Sequence, residues 1–303
     1  MTETRTMHPT PASTEKPLRA ASTLILLRDS DTGPQVLMLK RHGLSEVLAG
    51  AFVFPGGKLD APDAELMDSP HLDEAAPVLH ARLGEHDIGT ALAVGLYVAA
   101  LRETFEESGL LLAEDLAETR AQEALARLAS GMAFNTLLAE MGLRLRVGAL
   151  APWSRWVTPP DSPNKRFDTR FFVARAPEGL ARHDERETTE ARWVQARPAL
   201  QSYWDGELSL APPQIMTLAH LARHGSVDSV LAEARGRLPA LIQPHVIRDG
   251  EMRTMCYPGH EMHPVRERAM PGPLRLFTRG QRYEPEHGFQ AFFDELPGAL
   301  HVR

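Results

Sequence analysis

Three glutamates, Glu103, Glu106 and Glu107, stand at positions i, i+3 and i+4 within Leu101-Arg102-Glu103-Thr104-Phe105-Glu106-Glu107-Ser108-Gly109-Leu110. At 3.6 residues per turn that spacing lines their carboxylates along one edge of a helix. Like charges so placed repel unless a cation lies among them, and a divalent metal is the simplest choice. Carboxylate oxygens suit Mg²⁺ or Mn²⁺, which are held by a few acidic side chains together with substrate phosphates. Metal on a pyrophosphate neutralises its oxygens and acidifies a bound water, whose proton a nearby carboxylate can accept. On this reading Glu106 and Glu107 bind the metal and Glu103 completes the set or acts on the water. Arg102, four residues before Glu106, fixes their geometry. For Glu106-Glu107 taken alone, a solvated acidic helix face is the better explanation; the surrounding sequence reverses that.

The elements that must position these groups come next. Phe52-Val53-Phe54 is a short apolar strand that breaks into Pro55-Gly56-Gly57, where glycine lets the backbone approach a ligand closely. Val94, Val98, Leu101 and Phe105 recur at helical spacing, predicting a helix over 90–108 that stops at Gly109. Upstream, Ala21 to Leu27 and Gln35 to Leu39 flank a turn cluster and read as a hairpin. A short helix is expected around Leu72 to Leu83, and two more across Leu116 to Met141, broken at Gly131. Strand signals return at 153–157, 170–174 and 191–194, followed by helices over Pro213 to His224 and Val227 to Arg235. Short strands with Pro/Gly turns close the chain from Ile242 to Tyr283.

Composition removes several classes. The net charge of −7 argues against a dedicated nucleic-acid surface. The lone Cys256 excludes an internal disulfide and reads as a small buried side chain. No apolar run is long enough for a transmembrane helix. Residues 1–19 are polar and Thr/Pro-rich, unlike a signal or transit peptide, and are expected to form a disordered tail. A cytoplasmic location is the default expectation. His260-Glu261-Met262-His263 is flanked by Pro258, Gly259 and Pro264 and lacks further ligands, so a loop is expected rather than a zinc site. Trp153, Trp156 and Trp193 read as core.

Together, the Pro-Gly-Gly turn and the acidic helix resemble the Nudix hydrolase signature, G-x5-E-x7-R-E-U-x-E-E-x-G-U, with U a bulky apolar residue. Gly57 opens it, and Arg102, Glu103, Glu106, Glu107, Gly109 and Leu110 close it. There are two departures. Thr104 fills an apolar position, where Phe105 beside it is expected to supply the packing. The middle glutamate position holds Asp63, and Asp63 to Arg102 spans 39 positions where the signature has 8, an insertion of 31 residues. Neither Asp60 nor Asp63 is assigned a role across that insertion. The resemblance implies an α/β fold, a Nudix α/β/α sandwich with a mixed sheet. The Nudix domain would span 20–240 with the insertion at about 61–91, and 241–303 would form an extension packed on it.

The resemblance also implies Mg²⁺ or Mn²⁺ as cofactor and a further metal ligand from a distant loop, for which Glu187 is the choice among Glu185, Glu187 and Glu190. Met38-Leu39-Lys40-Arg41, the insertion and Arg166-Phe167-Asp168-Thr169-Arg170-Phe171-Phe172 resemble the branch that includes organellar coenzyme A diphosphatases. The implied substrate is coenzyme A or acyl-CoA, split into phosphopantetheine and adenosine 3′,5′-bisphosphate. Gly56 and Gly57 would admit it, and Arg41, Lys165, Arg166 and Arg170 would bind its phosphates. An ADP-ribose or dinucleotide pyrophosphatase is the alternative on the same scaffold, and a non-catalytic nucleotide-binding module the alternative of another class. The partner is thus a small nucleotide-linked molecule, with a homodimer left open and neither nucleic acid nor membrane expected.

Overall fold

The computed structural model describes residues 16–44, 48–162, 165–184, 187–250, 252–280 and 282–294. Strands β1 (Leu18–Arg28) and β2 (Gln35–Arg41) form the expected hairpin, with Leu27 opposite Val36. Both are apolar at odd and even positions, the pattern of strands covered on two faces. Leu24, Leu26, Leu37 and Leu39 enter one core, and Ile25, Leu27, Val36 and Met38 the other.

Six further strands complete the sheet: β3 (Phe52–Val53), β4 (Gly56–Lys58), β5 (Ala151–Val157), β6 (Arg166–Arg175), β7 (Thr188–Gln195) and β8 (Ala240–Ile242). The order is β3-β2-β1-β6-β5-β8, with β4 also on β1 and β7 on β2. β1 runs parallel to β6 and β5 to β8, while the other pairings are antiparallel, so the sheet is mixed. Helices α2 (Ala76–Leu83), α3 (Thr90–Ser108), α4 (Glu118–Ala129) and α5 (Phe134–Met141) cover one face. Helices α6 (Ala196–Trp204), α7 (Pro212–Leu221) and α8 (Val227–Gly236) cover the other. The architecture is the expected α/β/α sandwich.

Helix α3 occupies the range predicted for it, ending at Gly109 in the left-handed region (φ 72°). It is buried almost all round because the inserted segment lies against it. The insertion forms α1 (Ala61–Glu65) and α2, and Leu66, Leu72, Leu79 and Leu83 share a core with Val94, Val98, Leu101 and Phe105. Tyr97 Oη donates to Leu79 O (3.1 Å).

At the N-terminus the ordered strand begins earlier than expected. β1 starts at Leu18, and Lys16 O accepts a hydrogen bond from Arg166 Nη1 (3.1 Å), so 16–19 belong to the fold. The rest of the expected tail, 1–15, lies outside the described residues. After β8 a second, antiparallel sheet follows, β9 (His245–Asp249), β10 (Met252–Cys256), β11 (Arg275–Arg279) and β12 (Arg282–Glu284), in the order β12-β11-β10-β9. Met255, Tyr257, Met270, Leu276 and Phe292 join the core around Trp153 and Trp156. His260 and His263 sit in a loop, where His263 Nε2 lies 3.0 Å from Gln243 O, and Cys256 is buried. Among the described residues no helix is long and apolar enough to cross a membrane.

Candidate active site

Strand β4 brings the glycine turn against the last two turns of α3. Gly57 is there because a side chain would not fit: a Cβ would lie 2.3 Å from Glu103 Cδ. Gly56 has φ 154° and its Cβ would meet Ser22 O at 2.3 Å. The freed space lets Gly56 N donate to Glu107 Oε2 (3.0 Å). Glycine is therefore required at both positions, at Gly56 by backbone and at Gly57 by a functional side chain.

Arg102 organises the carboxylates. Its Nε and Nη2 donate to Asp63 Oδ1 and Oδ2 (2.8 and 2.9 Å), and Nη2 also to Lys58 O (3.1 Å). Nη1 donates to Glu103 Oε1 (2.9 Å) and Glu106 Oε2 (3.4 Å). A guanidinium has five N–H donors, and these five contacts engage all of them. Burial works against its charge, but the bond to Asp63 and the fields of Glu103, Asp63 and Glu106 outweigh it and raise its pKa. Asp63 in turn accepts from Asp60 N (2.8 Å), closing the first turn of α1. Sequence reasoning missed this partner. Asp63 is buried and grips Arg102 from 39 positions away, so the insertion loops out while its first residues stay against α3.

Electrostatically the site is short of positive charge. Burial, above all, pushes the Glu103 carboxyl up to about 7 and Glu107 up to about 8, and it raises Glu106 as well. All three lie in the last two turns of α3, where the helix dipole also disfavours anions. Glu187, exposed just before β7, is near enough for its charge to raise Glu103 and Glu107 further. Its carbonyl accepts from His42 N (2.8 Å), which sets it beside Arg41. Arg41 lowers the Glu107 pKa through its charge, and its Nε is buried with no hydrogen-bond partner among the described residues. Glu185 lies outside the described residues. Thr104 is buried at its apolar position because its hydroxyl donates to Ala100 O (2.7 Å), and Phe105 beside it is fully buried.

Two of the expected phosphate ligands, Arg166 and Arg170, are buried and engaged by other groups of the fold. Arg166 is buried, donating through Nε to Thr158 O (3.3 Å) and through Nη1 to Lys16 O. It pairs with Leu18, five positions along β1 from the Gly56 pairing at Thr23, roughly 16 Å away at 3.3 Å per residue. Lys165, exposed, precedes it at the same end. Arg170 is buried against Glu85, with Nε–Oε1 at 3.0 Å and Nη2–Oε2 at 2.5 Å, and lies 3.0 Å from Asp168. Arg155 bridges the same two carboxylates at 2.8 and 2.7 Å, so two cations and two anions close a buried cluster. That cluster ties the end of the insertion to β5 and β6.

A model of the NUDT19 Nudix domain matches residues 13–221. An acyl-coenzyme A diphosphatase NUDT19 of Xenopus laevis is 28% identical over 277 residues, covering 76% of this chain and 71% of that protein. The human acyl-coenzyme A diphosphatase NUDT19 is 26% identical over 273 residues, covering 76% and 72%. Among solved structures, a NUDIX hydrolase from Alicyclobacillus acidocaldarius is 32% identical with a TM-score of 0.60, covering 74% of this chain and 98% of that one.

Proposed function

Since the chain belongs to the Nudix hydrolase family, we propose that it cleaves the pyrophosphate of coenzyme A or an acyl-CoA at the Arg102-centred carboxylate site. The observation that carries this reading is the set of buried glutamates with raised pKa values around one saturated guanidinium, a donor set that fits a hard divalent cation. Glu103, Glu106 and Glu107 would hold it, with Glu187 as the outer ligand. When bound, Mg²⁺ or Mn²⁺ supplies neutralisation of the pyrophosphate oxygens and acidification of water.

The chain's own residues do the rest. Arg102 fixes Glu103 through Oε1, leaving Oε2 to accept the proton of the attacking water. As water oxygen bonds to phosphorus, the bridging P–O bond breaks and the second phosphate leaves as an anion. Arg41, whose Nε has no partner among the described residues and whose charge acts on Glu107, is positioned to bind a substrate phosphate. Gly56 and Gly57 keep the approach open.

The test is a panel of coenzyme A, acetyl-CoA, ADP-ribose, NADH and diadenosine polyphosphates incubated with Mg²⁺ or Mn²⁺, with products separated by chromatography. Adenosine 3′,5′-bisphosphate released from coenzyme A or acetyl-CoA is the expected result. Cleavage of ADP-ribose or NADH alone would keep the site and replace the substrate. No cleavage of any compound would favour a non-catalytic nucleotide-binding module.

A further inference from the structure

On the sheet face opposite α3, α7 and α8 bring together three groups that the carboxylate site does not use. His220 lies in the last turn of α7, His224 in the turn after it, and Glu233 on α8. His220 Nε2 is 2.9 Å from Glu233 Oε1, and His224 Nε2 is 3.1 Å from Oε2. The three ligand atoms all lie within 4.8 Å of one another. His220 is 6% exposed, its ring 4.4 Å from that of Trp153, and the His224 side chain is 10% exposed.

The setting of the His224 ring is the telling feature. Its Nδ1 lies 3.1 Å from Ser229 Oγ, and that hydroxyl gives its own proton to Ser226 O (2.7 Å). That contact turns Nε2 toward Glu233. That buried Nε2 makes no hydrogen bond among the described residues, although the carboxylate oxygen is 3.1 Å away. The carboxylate of Glu233 thus faces one imidazole nitrogen from each histidine, through a different oxygen to each. Tetrahedral ligands at 2.0–2.1 Å are separated by roughly 3.3 Å, near the two N···O separations of 2.9 and 3.1 Å. On the far side of His220 a cavity of about 10 Å³, lined mainly by apolar side chains with Ser154, Thr217 and Arg237, has room for about one water, and Ser154 Oγ is buried there with no partner among the described residues.

We propose that His220, His224 and Glu233 bind one zinc-class ion, with water as the fourth ligand, at a site separate from the hydrolytic centre. Two imidazole nitrogens and one carboxylate suit Zn²⁺ and its neighbours better than Mg²⁺. Ser229 fixes the His224 ring, the part that a second partner plays at metal-bound histidines. Arg237 donates to Glu233 Oε1 (2.9 Å) and to Trp153 O (2.9 Å), orienting the carboxylate. Its nearby charge makes this site weaker than an all-neutral one. The ion clips α7 to α8 over Trp153.

Cobalt chloride is the probe, added to the full chain in excess Mg²⁺ so that the carboxylate site is filled. One Co²⁺ per chain should bind with the intense visible absorption of a four-coordinate, nitrogen-ligated ion, and Zn²⁺ should displace it. Glu106→Gln should keep the band and His224→Gln should lose it. Ser229→Ala should weaken Co²⁺ about tenfold. Absence of the band in wild type, or its survival in His224→Gln, overturns the proposal. Should His224→Gln fail to fold, unchanged Co²⁺ affinity in Ser229→Ala overturns it instead.

Discussion

Gly57 and Gly56 separate two kinds of constraint at neighbouring positions. A Cβ at 57 meets only the carboxylate end of Glu103, which can swing away, so Gly57→Ala should leave Tm nearly unchanged and lower kcat/KM. A Cβ at 56 meets backbone at Ser22 and Thr23 in a φ that side chains avoid, so Gly56→Ala should cost about 1–3 kcal/mol in urea unfolding. Equal stability losses in both would contradict the assignment. The raised carboxyls give a second expectation. Glu103 and Glu107 have folded pKa values of about 7 and about 8 against an ordinary 4.5, so over that range the folded, metal-free protein holds protons that the unfolded chain has released. Their contribution to stability is complete below 4.5 and is lost as pH rises through 7 and 8. A divalent ion must displace those protons, so its apparent affinity should rise over the same window. Thermal melts should therefore show Tm in EDTA falling from about pH 5 to about 8, with the Mg²⁺-induced increase in Tm growing. A pH-independent increase would contradict this.

At the scale of elements, what the sequence disclosed was local. The apolar stripe of α3 and Gly109 lie within one helix, so periodicity and a left-handed stop were enough to place Thr90–Ser108. The β1–β2 hairpin was readable because its turn residues are contiguous. Asp63 was not, because its tie to Arg102 depends on how 31 inserted residues fold back, which no local pattern encodes. The surroundings of Arg166 and Arg170 were hidden for a related reason: the sequence does not reveal which partners meet them. Glu85 is such a partner, 8% exposed and shared by Arg155 and Arg170. Removing one member of a buried ionic cluster leaves charge uncompensated. Glu85→Gln should therefore lower unfolding free energy by about 3 kcal/mol and loosen the insertion, read as faster amide exchange in 76–83. Exchange unchanged there would show that the insertion is held by its leucines alone.

For the molecule as a whole, the segment beyond β8 shares its core with the sheet. Phe292 is fully buried beside Trp204, with ring centroids 6.3 Å apart. Phe292→Ala should cost about 3–5 kcal/mol in a single cooperative transition. A separate low-stability transition would mean that the segment folds independently. The hydrolytic account rests more heavily on Glu106, whose side chain is 41% exposed and can be altered without disturbing that core. The most direct measurement is the Mn²⁺-dependent rate of coenzyme A hydrolysis by wild type and Glu106→Gln, with Tm recorded for both. Loss of a metal ligand removes several kcal/mol of transition-state stabilisation, so kcat/KM should fall roughly a thousandfold at unchanged Tm. Near-equal rates in the two proteins would contradict the claim that this carboxylate cluster is the catalytic centre.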